Sequence, residues 1–266
     1  MLAVDSFLRC GRSHVVHFLA ADPTVLARRD PHYRKVLNLG DLNIPDGMAV
    51  AWASRVLGYP TPRLAGTDAL SLTVAQGVRR NLRHYLYGGS EEVLGQLRHH
   101  LETRYPNASI AGAESPPFRT LSGEEIEAAA WRIRSAGAGA VWVGLGTPKQ
   151  DIVAQQLREL EAAPLILCVG AAFDFVAGAK PRAPRWMRRS GLEWVFRLRS
   201  EPRRLWRRYL FGNPRFVAGL VVDLIGGTRA EPAGPGAWNG SIAVNDGPRA
   251  TTEDEEATTD AHRVRP

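Results

Sequence analysis

Cysteine is scarce in this chain: Cys10 and Cys168 are the two that occur in 266 residues. They stand far apart, outside any CxxC or Cys/His spacing, so neither a disulfide framework nor a zinc site is expected, and a reducing cytoplasm is the compartment that fits. Long apolar runs are lacking too. The N-terminus has no basic stretch leading into a long apolar one, and the most apolar late segment, residues 216–227, is broken by Asp223. Neither a signal peptide nor a membrane-spanning helix is expected. The body of the chain has no D-x-D pair to hold a divalent ion on a diphosphate, and the acid-rich TEDEE stretch falls in the last residues. HExxH, GxSxG and the GK[ST] ending of a P-loop are also missing, which removes zinc hydrolysis, acyl transfer from a nucleophile elbow and Walker-type NTP binding.

What is abundant is positive charge, unevenly placed. The net charge is +7, yet residues 178–215 hold twelve Lys or Arg against Glu193 and Glu201, a local balance of +10. Residues 229–266 hold four Arg against seven acids, a balance of −3. The chain before residue 178 is therefore close to neutral. One concentrated basic segment on a neutral body implies a localised anionic partner: phosphate, nucleic acid or an anionic membrane face.

Apolar runs rich in Val, Ile and Leu alternate with amphipathic stretches along most of the chain. Residues 15–19, 85–87, 140–145 and 165–169 have the composition of buried strands, and 47–57, 91–104, 123–135 and 148–160 have helical periodicity. This order predicts an α/β fold with a mostly parallel sheet flanked by helices, the core spanning 1–182. From Ala183 the strand signal stops and Arg, Trp and Leu recur at helical spacing, so 183–228 is expected to be a basic helical appendage. Residues 229–266 are polar and rich in Pro and Gly, a composition expected to stay disordered. No repeat of fixed period is visible.

Ligands of parallel sheets bind beyond the carboxyl ends of the strands. Three glycine turns occupy such places: Tyr87-Gly88-Gly89, Gly144-Leu145-Gly146 and Gly170-Ala171-Ala172. The second continues into Thr147-Pro148-Lys149-Gln150-Asp151, where backbone N–H groups at a helix start can meet a phosphate; the same residues also suit a plain strand-to-helix turn. Asp46, between Pro45 and Gly47, is placed to act as a general base toward a sugar hydroxyl, or simply to cap a turn. Arg63 offers a cation for a diphosphate or an acidic sugar, while Thr67 or Asp68 can cap the next helix. In residues 203–210 the arginines Arg203, Arg204, Arg207 and Arg208 fall within an arc of about 140°, opposite four apolar residues. Such a helix serves as a phosphate-binding face, lies on a bilayer, or docks its apolar side with the arginines in solvent.

Taken in order, these segments resemble the WecG/TagA/CpsF family of bacterial surface-polysaccharide glycosyltransferases over about residues 15–226. The match is carried by L-x-x-P-D-G at Leu42–Gly47, R-L-A-G-T-D at Arg63–Asp68, L-Y-G-G at Leu86–Gly89 and G-L-G-T-P-K-Q-D at Gly144–Asp151. It continues through G-A-A-F-D-F-V-A-G at Gly170–Gly178, R-A-P at Arg182–Pro184 and G-L-E-W-V-F-R-L ending in R-R-Y at Tyr209. The resemblance implies a Rossmann-like core, a UDP-linked N-acetylmannosamine or its uronic acid as donor, and inverting transfer to N-acetylglucosamine on a polyprenyl diphosphate. It implies no cofactor and no metal. Asp46 maps to the proposed base. Arg63 and Gln150 map to the donor's surroundings, where the strand-end glycines Gly88, Gly89, Gly144 and Gly146 and the divergent Asp22 are also expected, and Arg204, Arg207 and Arg208 map to the diphosphate and membrane side. Residues 20–23 read Ala-Ala-Asp-Pro where the family has a Thr-x-Asn-Pro-like stretch; a carboxylate at Asp22 disfavours an anionic uronic acid, which favours the neutral amino sugar or an unusual donor. The resemblance also implies a cytoplasmic protein peripheral on the inner membrane face, a membrane surface and UDP-sugar as partners, no nucleic acid, and self-association as a possibility.

Two other classes fit parts of the sequence. A basic module binding nucleic acid or an anionic surface is suggested by the Arg block interleaved with Trp186, Trp194, Trp206 and Tyr209, though without any helix-turn-helix, RNP or finger pattern. A nicotinamide-dependent oxidoreductase is argued against by Lys149 standing where GxGxxG needs its third Gly.

Overall fold

The computed structural model of the protein describes residues 2–226, with side-chain environments from residue 6 onward. The stretch 229–266, expected to be disordered, lies outside the described residues. In chain order the elements are α1 (Leu2–Arg9), β1 (His14–Leu19), α2 (Ala21–Arg29), α3 (Pro31–Asn38), β2 (Leu42–Pro45), α4 (Met48–Val56), α5 (Gly66–Gly77), β3 (Arg83–Gly88), α6 (Glu91–Arg104), β4 (Ser109–Glu114), α7 (Gly123–Ser135), β5 (Ala140–Gly144), α8 (Lys149–Glu159), β6 (Leu165–Cys168), α9 (Ala172–Val176), α10 (Arg185–Arg189), α11 (Glu193–Ser200) and α12 (Pro202–Ile225).

The six strands form one sheet in the order β2-β1-β6-β5-β3-β4, every pair parallel. Helices cover both faces, as a parallel sheet requires. Period-2 alternation sorts the strand side chains: Val141 and Val143 face α7 and α8 through Ile133, Ala154 and Leu157, whereas Ala140 and Trp142 face α5 and α6 through Leu70 and Leu97. This is the α/β, Rossmann-like layering that the alternating pattern predicts.

Two strands, β2 and β4, escape the sequence reading, and both are sheet edges. An edge strand is half-covered and carries a weak apolar signal. In β4, Ser109-Ile-Ala-Gly-Ala-Glu, small residues are required: a Cβ at Gly112 would stand 2.4 Å from the Tyr85 ring. Likewise Leu42–Pro45, where no strand was expected, pairs with β1.

The central strands end where the chain changes direction. From β3 it moves outward to β4, and from β5 it moves the other way to β6, so the sheet divides beyond the ends of β3 and β5. There the backbones touch: a Cβ at Gly88 would lie 2.6 Å from the carbonyl of Gly144, and Gly89 N–H donates to that same oxygen at 3.1 Å. Gly144 is itself pressed on Phe173, whose ring would stand 2.7 Å from an added Cβ.

After β6 come α9 to α12 and no further strand among the described residues. The long α12 lies against α2. Gly212 and Gly219, two turns apart, let the helices approach: a Cβ at Gly219 would meet Arg28 Nε at 2.7 Å. Ion pairs Asp22–Arg208 and Arg28–Asp223 tie the two helices. The even split expected for 203–210 is only partly used for packing, since Leu205 is buried while Trp206 and Leu210 remain exposed. No described helix is long and apolar enough to cross a membrane.

Candidate active site

A cleft of about 590 Å³ opens beyond the strand ends, floored by Gly89, Gly144, Gly146 and Gln150 and closed from above by α11 and α12. Five basic residues line it, Lys149, Lys180, Arg197, Arg204 and Arg208, against two acids, Asp46 and Asp174. A second cavity of about 390 Å³ lies between α4 and α12, with walls of Trp52, Val56, Trp194, Phe216 and Val217. Both cavities share Ala20, Asp46 and Arg197 in their linings. Asp46 thus stands where a polar cleft and an apolar chamber meet.

Asp46 follows β2, and its N–H donates to Leu19 at the end of β1, 2.9 Å away, which anchors the turn. It does not cap the helix beside it, nor do Thr67 or Asp68 cap theirs: the N-cap positions are Gly47 for α4 and Ala65 for α5, and neither gives a side-chain cap. Instead the Asp46 carboxylate reaches across to accept from Gly66 N–H, 3.2 Å away, in the first turn of α5. The positive end of α5 therefore faces this carboxylate. Burial nevertheless pushes its pKa above the ordinary aspartate value, with Glu193 pushing the same way and Arg63 and Arg197 opposing. A carboxyl group whose proton affinity is raised above that of an ordinary aspartate is suited to take a proton from a hydroxyl.

Arg63, expected beside the donor, instead lines the apolar chamber and not the basic cleft. Its Nε–H donates to the main-chain carbonyl of Asp46, and its terminal nitrogen pairs with Glu193 at 2.7 Å. It holds the Asp46 turn to α11. Gly88 is a backbone contact and lines neither cavity, whereas Gly89, Gly144 and Gly146 line the cleft. Asp22 is absent from the cleft lining, its carboxylate taken by Arg208 at 2.9 Å. Arg204 and Arg208 reach the cleft; Arg207 turns away, over the Trp206 ring at 5.1 Å.

Of the polar run 149–151, Lys149 and Gln150 line the cleft and Asp151 does not. Gln150 Nε2 donates to Cys168 O at 3.5 Å, and its buried Oε1 has no partner. Lys149 donates to the carbonyls of Pro117 and Arg119 and so ties down the loop at the cleft mouth. Asp151 points the other way into the core, where His17 Nδ1 and Tyr33 Oη each meet one of its oxygens at 2.8 Å. Cys168 completes this buried group, its thiol pKa pushed up by burial and by Asp151. Potential ligand atoms of His17, Asp151 and Cys168 lie within 4.8 Å of one another. Both Asp151 oxygens are already engaged, and the cluster acts as a brace beneath Gln150. No sequence spacing reveals it, because β1, α8 and β6 contribute one residue each.

Residues of the cleft missed by motif reading include Lys180, which bridges Asp174 at 3.4 Å and Glu201 at 3.3 Å. Arg197, over the Phe175 ring at 4.8 Å, is another. Phe118 is the clearest: it lines the cleft mouth yet is 88% exposed, in the loop that Lys149 secures. An aromatic ring presented to solvent after two prolines was the available signal.

The chain matches the model of the glycosyl transferase WecG/TagA/CpsF family over residues 2–230. This span takes in the whole sheet, the Asp46 turn and the arginines of α12, so the protein belongs to the WecG/TagA/CpsF family of glycosyltransferases, enzymes of cell-surface polysaccharide synthesis.

Proposed function

We propose that this protein moves an N-acetylmannosamine-type sugar from a UDP donor to N-acetylglucosamine carried on a polyprenyl diphosphate, with inversion and without a metal. The observation that carries this reading is the position of Asp46 between a basic cleft and an apolar chamber. The donor occupies the cleft, its diphosphate among Lys180, Arg197, Arg204 and Arg208 and its sugar near Gln150. Phe118 stacks on the nucleobase. The acceptor enters from the chamber, whose Trp52, Trp194 and Phe216 suit a lipid-linked substrate.

In this arrangement the acceptor hydroxyl attacks the anomeric carbon from the side opposite the departing UDP. Asp46 takes the hydroxyl proton, and the C1–oxygen bond to UDP breaks as the new one forms. Fixed arginines then meet the growing charge on the diphosphate, the role a metal has in other sugar-nucleotide enzymes. The protein works at the inner face of the cell membrane, where such an acceptor resides, with α12 beside the bilayer.

The test is incubation of the full chain with a lipid-linked N-acetylglucosamine diphosphate and a panel of UDP-sugars under chelation, following UDP release and product mass. Release from UDP-N-acetylmannosamine with a matching product mass is the expected result. Silence across the panel, or a requirement for added divalent metal, overturns the reading.

A further inference from the structure

Across the Asp22–Arg208 pair from the cleft lies a third cavity, of about 220 Å³, in the seam between α2 and α12. Its lining includes four arginines, Arg29, Arg207, Arg208 and Arg215, and a single acid, Asp22. The sequence builds it by helical spacing. Arg207, Phe211 and Arg215 follow one another at intervals of four on α12, and Asp22 and Arg29 lie two turns apart on α2. Gly212, where an added Cβ would stand 3.6 Å from Asp22 Oδ1, brings the two ridges together.

The charges in this seam are not balanced. Asp22 is matched to Arg208 at 2.9 Å. Arg207 and Arg215 rest on rings, those of Trp206 and Phe211, at 5.1 and 5.5 Å. Arg29, Arg207 and Arg215 have no carboxylate at ion-pairing distance among the described residues. Convergent guanidinium groups repel one another unless an anion or solvent screens them, and their planar forks suit the paired oxygens of a phosphate.

We infer that the α2/α12 seam is a second anion site, separate from the donor cleft, that takes a phosphate-bearing group. Arg29, Arg207 and Arg215 supply the charge. Phe211, exposed, and Val25 and Leu26 of the lining give the site an apolar edge, so the phosphate of a lipid headgroup fits as well as free phosphate. Asp22 opposes occupancy and holds Arg208 on the wall between the two cavities. This inference does not depend on the donor or acceptor assigned above.

The double variant Arg29→Gln/Arg215→Gln of the full chain removes two cations that lie outside both the cleft and the chamber. Its binding to inorganic phosphate, by calorimetry, and to phosphatidylcholine vesicles with about one-third phosphatidylglycerol, by co-sedimentation, is compared with wild type. A fall of about tenfold or more is expected in at least one assay, the loss of one charge-assisted hydrogen bond or more. Loss in both assays gives a site shared by free and lipid phosphate; loss with phosphate alone or vesicles alone gives the source. Asp22→Asn is expected to tighten phosphate binding severalfold. Arg79→Gln/Arg104→Gln removes the same charge elsewhere, and an equal loss in that control overturns the inference. So does unchanged binding of both probes by the seam variant, with unfolding midpoints confirming that each protein is folded.

Discussion

Arg63 grips Asp46 by its main-chain carbonyl and not by its carboxylate. The distinction bears on the proposed chemistry, because a guanidinium fork on the carboxylate would lower its proton affinity and occupy the oxygens proposed to accept a proton. With Arg63 directed to the backbone and to Glu193, the turn is fixed while the carboxylate keeps Gly66 N–H as its hydrogen-bond donor.

Asp46→Asn is therefore expected to lower transfer by about 10²–10⁴-fold while leaving UDP binding near wild type. It is also expected to raise the unfolding temperature at neutral pH. The folded protein holds the Asp46 proton more tightly than the unfolded chain does, so this group's contribution to stability falls as pH rises from the ordinary aspartate value through the raised one. Asparagine removes that cost. Thermal unfolding across pH 4–8, together with UDP release, checks both halves; full turnover in the variant would remove Asp46 from the mechanism.

Phe118→Ala should weaken UDP binding by about tenfold, the loss of one base–aromatic stack, with little effect on stability because the ring is exposed. Phe118→Tyr should bind as wild type does. Equal affinities for all three proteins would place the nucleobase elsewhere.

Asp151→Ala tests the brace beneath Gln150. It strips the partners from His17 and Tyr33, both buried, at a cost of roughly 3 kcal/mol. Turnover measured well below the unfolding temperature should also drop, since the first turn of α8 carries Gln150. A variant destabilised but fully active would make the brace purely structural.

His84 sets an acid limit on the fold. It sits buried on β3, its Nδ1 accepting from Trp142 Nε1–H at 3.2 Å, and burial depresses its pKa to about 4. The stability tied to its neutral form is complete above the unfolded value of about 6.5 and is lost as pH falls from there toward 4, up to about 3 kcal/mol. His84→Gln, which keeps an acceptor for Trp142, should flatten the stability profile over that interval in urea unfolding. An unchanged slope would contradict it.

The sheet interior and most of its covering helices were legible in the residues, because strands buried on both faces and helices buried on one leave strong periodic signals; α6 and α7 begin and end where that signal predicts. The edges β2 and β4 were not, since half-covered strands of small or polar residues carry little pattern. At the site, Asp46, Gln150, Gly89, Gly144 and Gly146, singled out from the sequence, line one cleft, whereas Gly88 does not. Arg63 and Asp22, expected near the donor from the family resemblance, lie outside that lining: the fold directs Arg63 to a main-chain carbonyl and Asp22 to an arginine on α12.

By itself the sequence determined the layer order, the glycine turns at the strand ends, the basic character of residues 178–215 and the family. Those properties depend on neighbours three or four positions away, or on motifs read in order. Only the tertiary structure decided which charges remain free for a ligand. Asp151, Asp22 and Arg63 each meet a partner from a distant segment, His17, Arg208 and Glu193, and such a partner is set by how helices and strands pack, which no local spacing encodes.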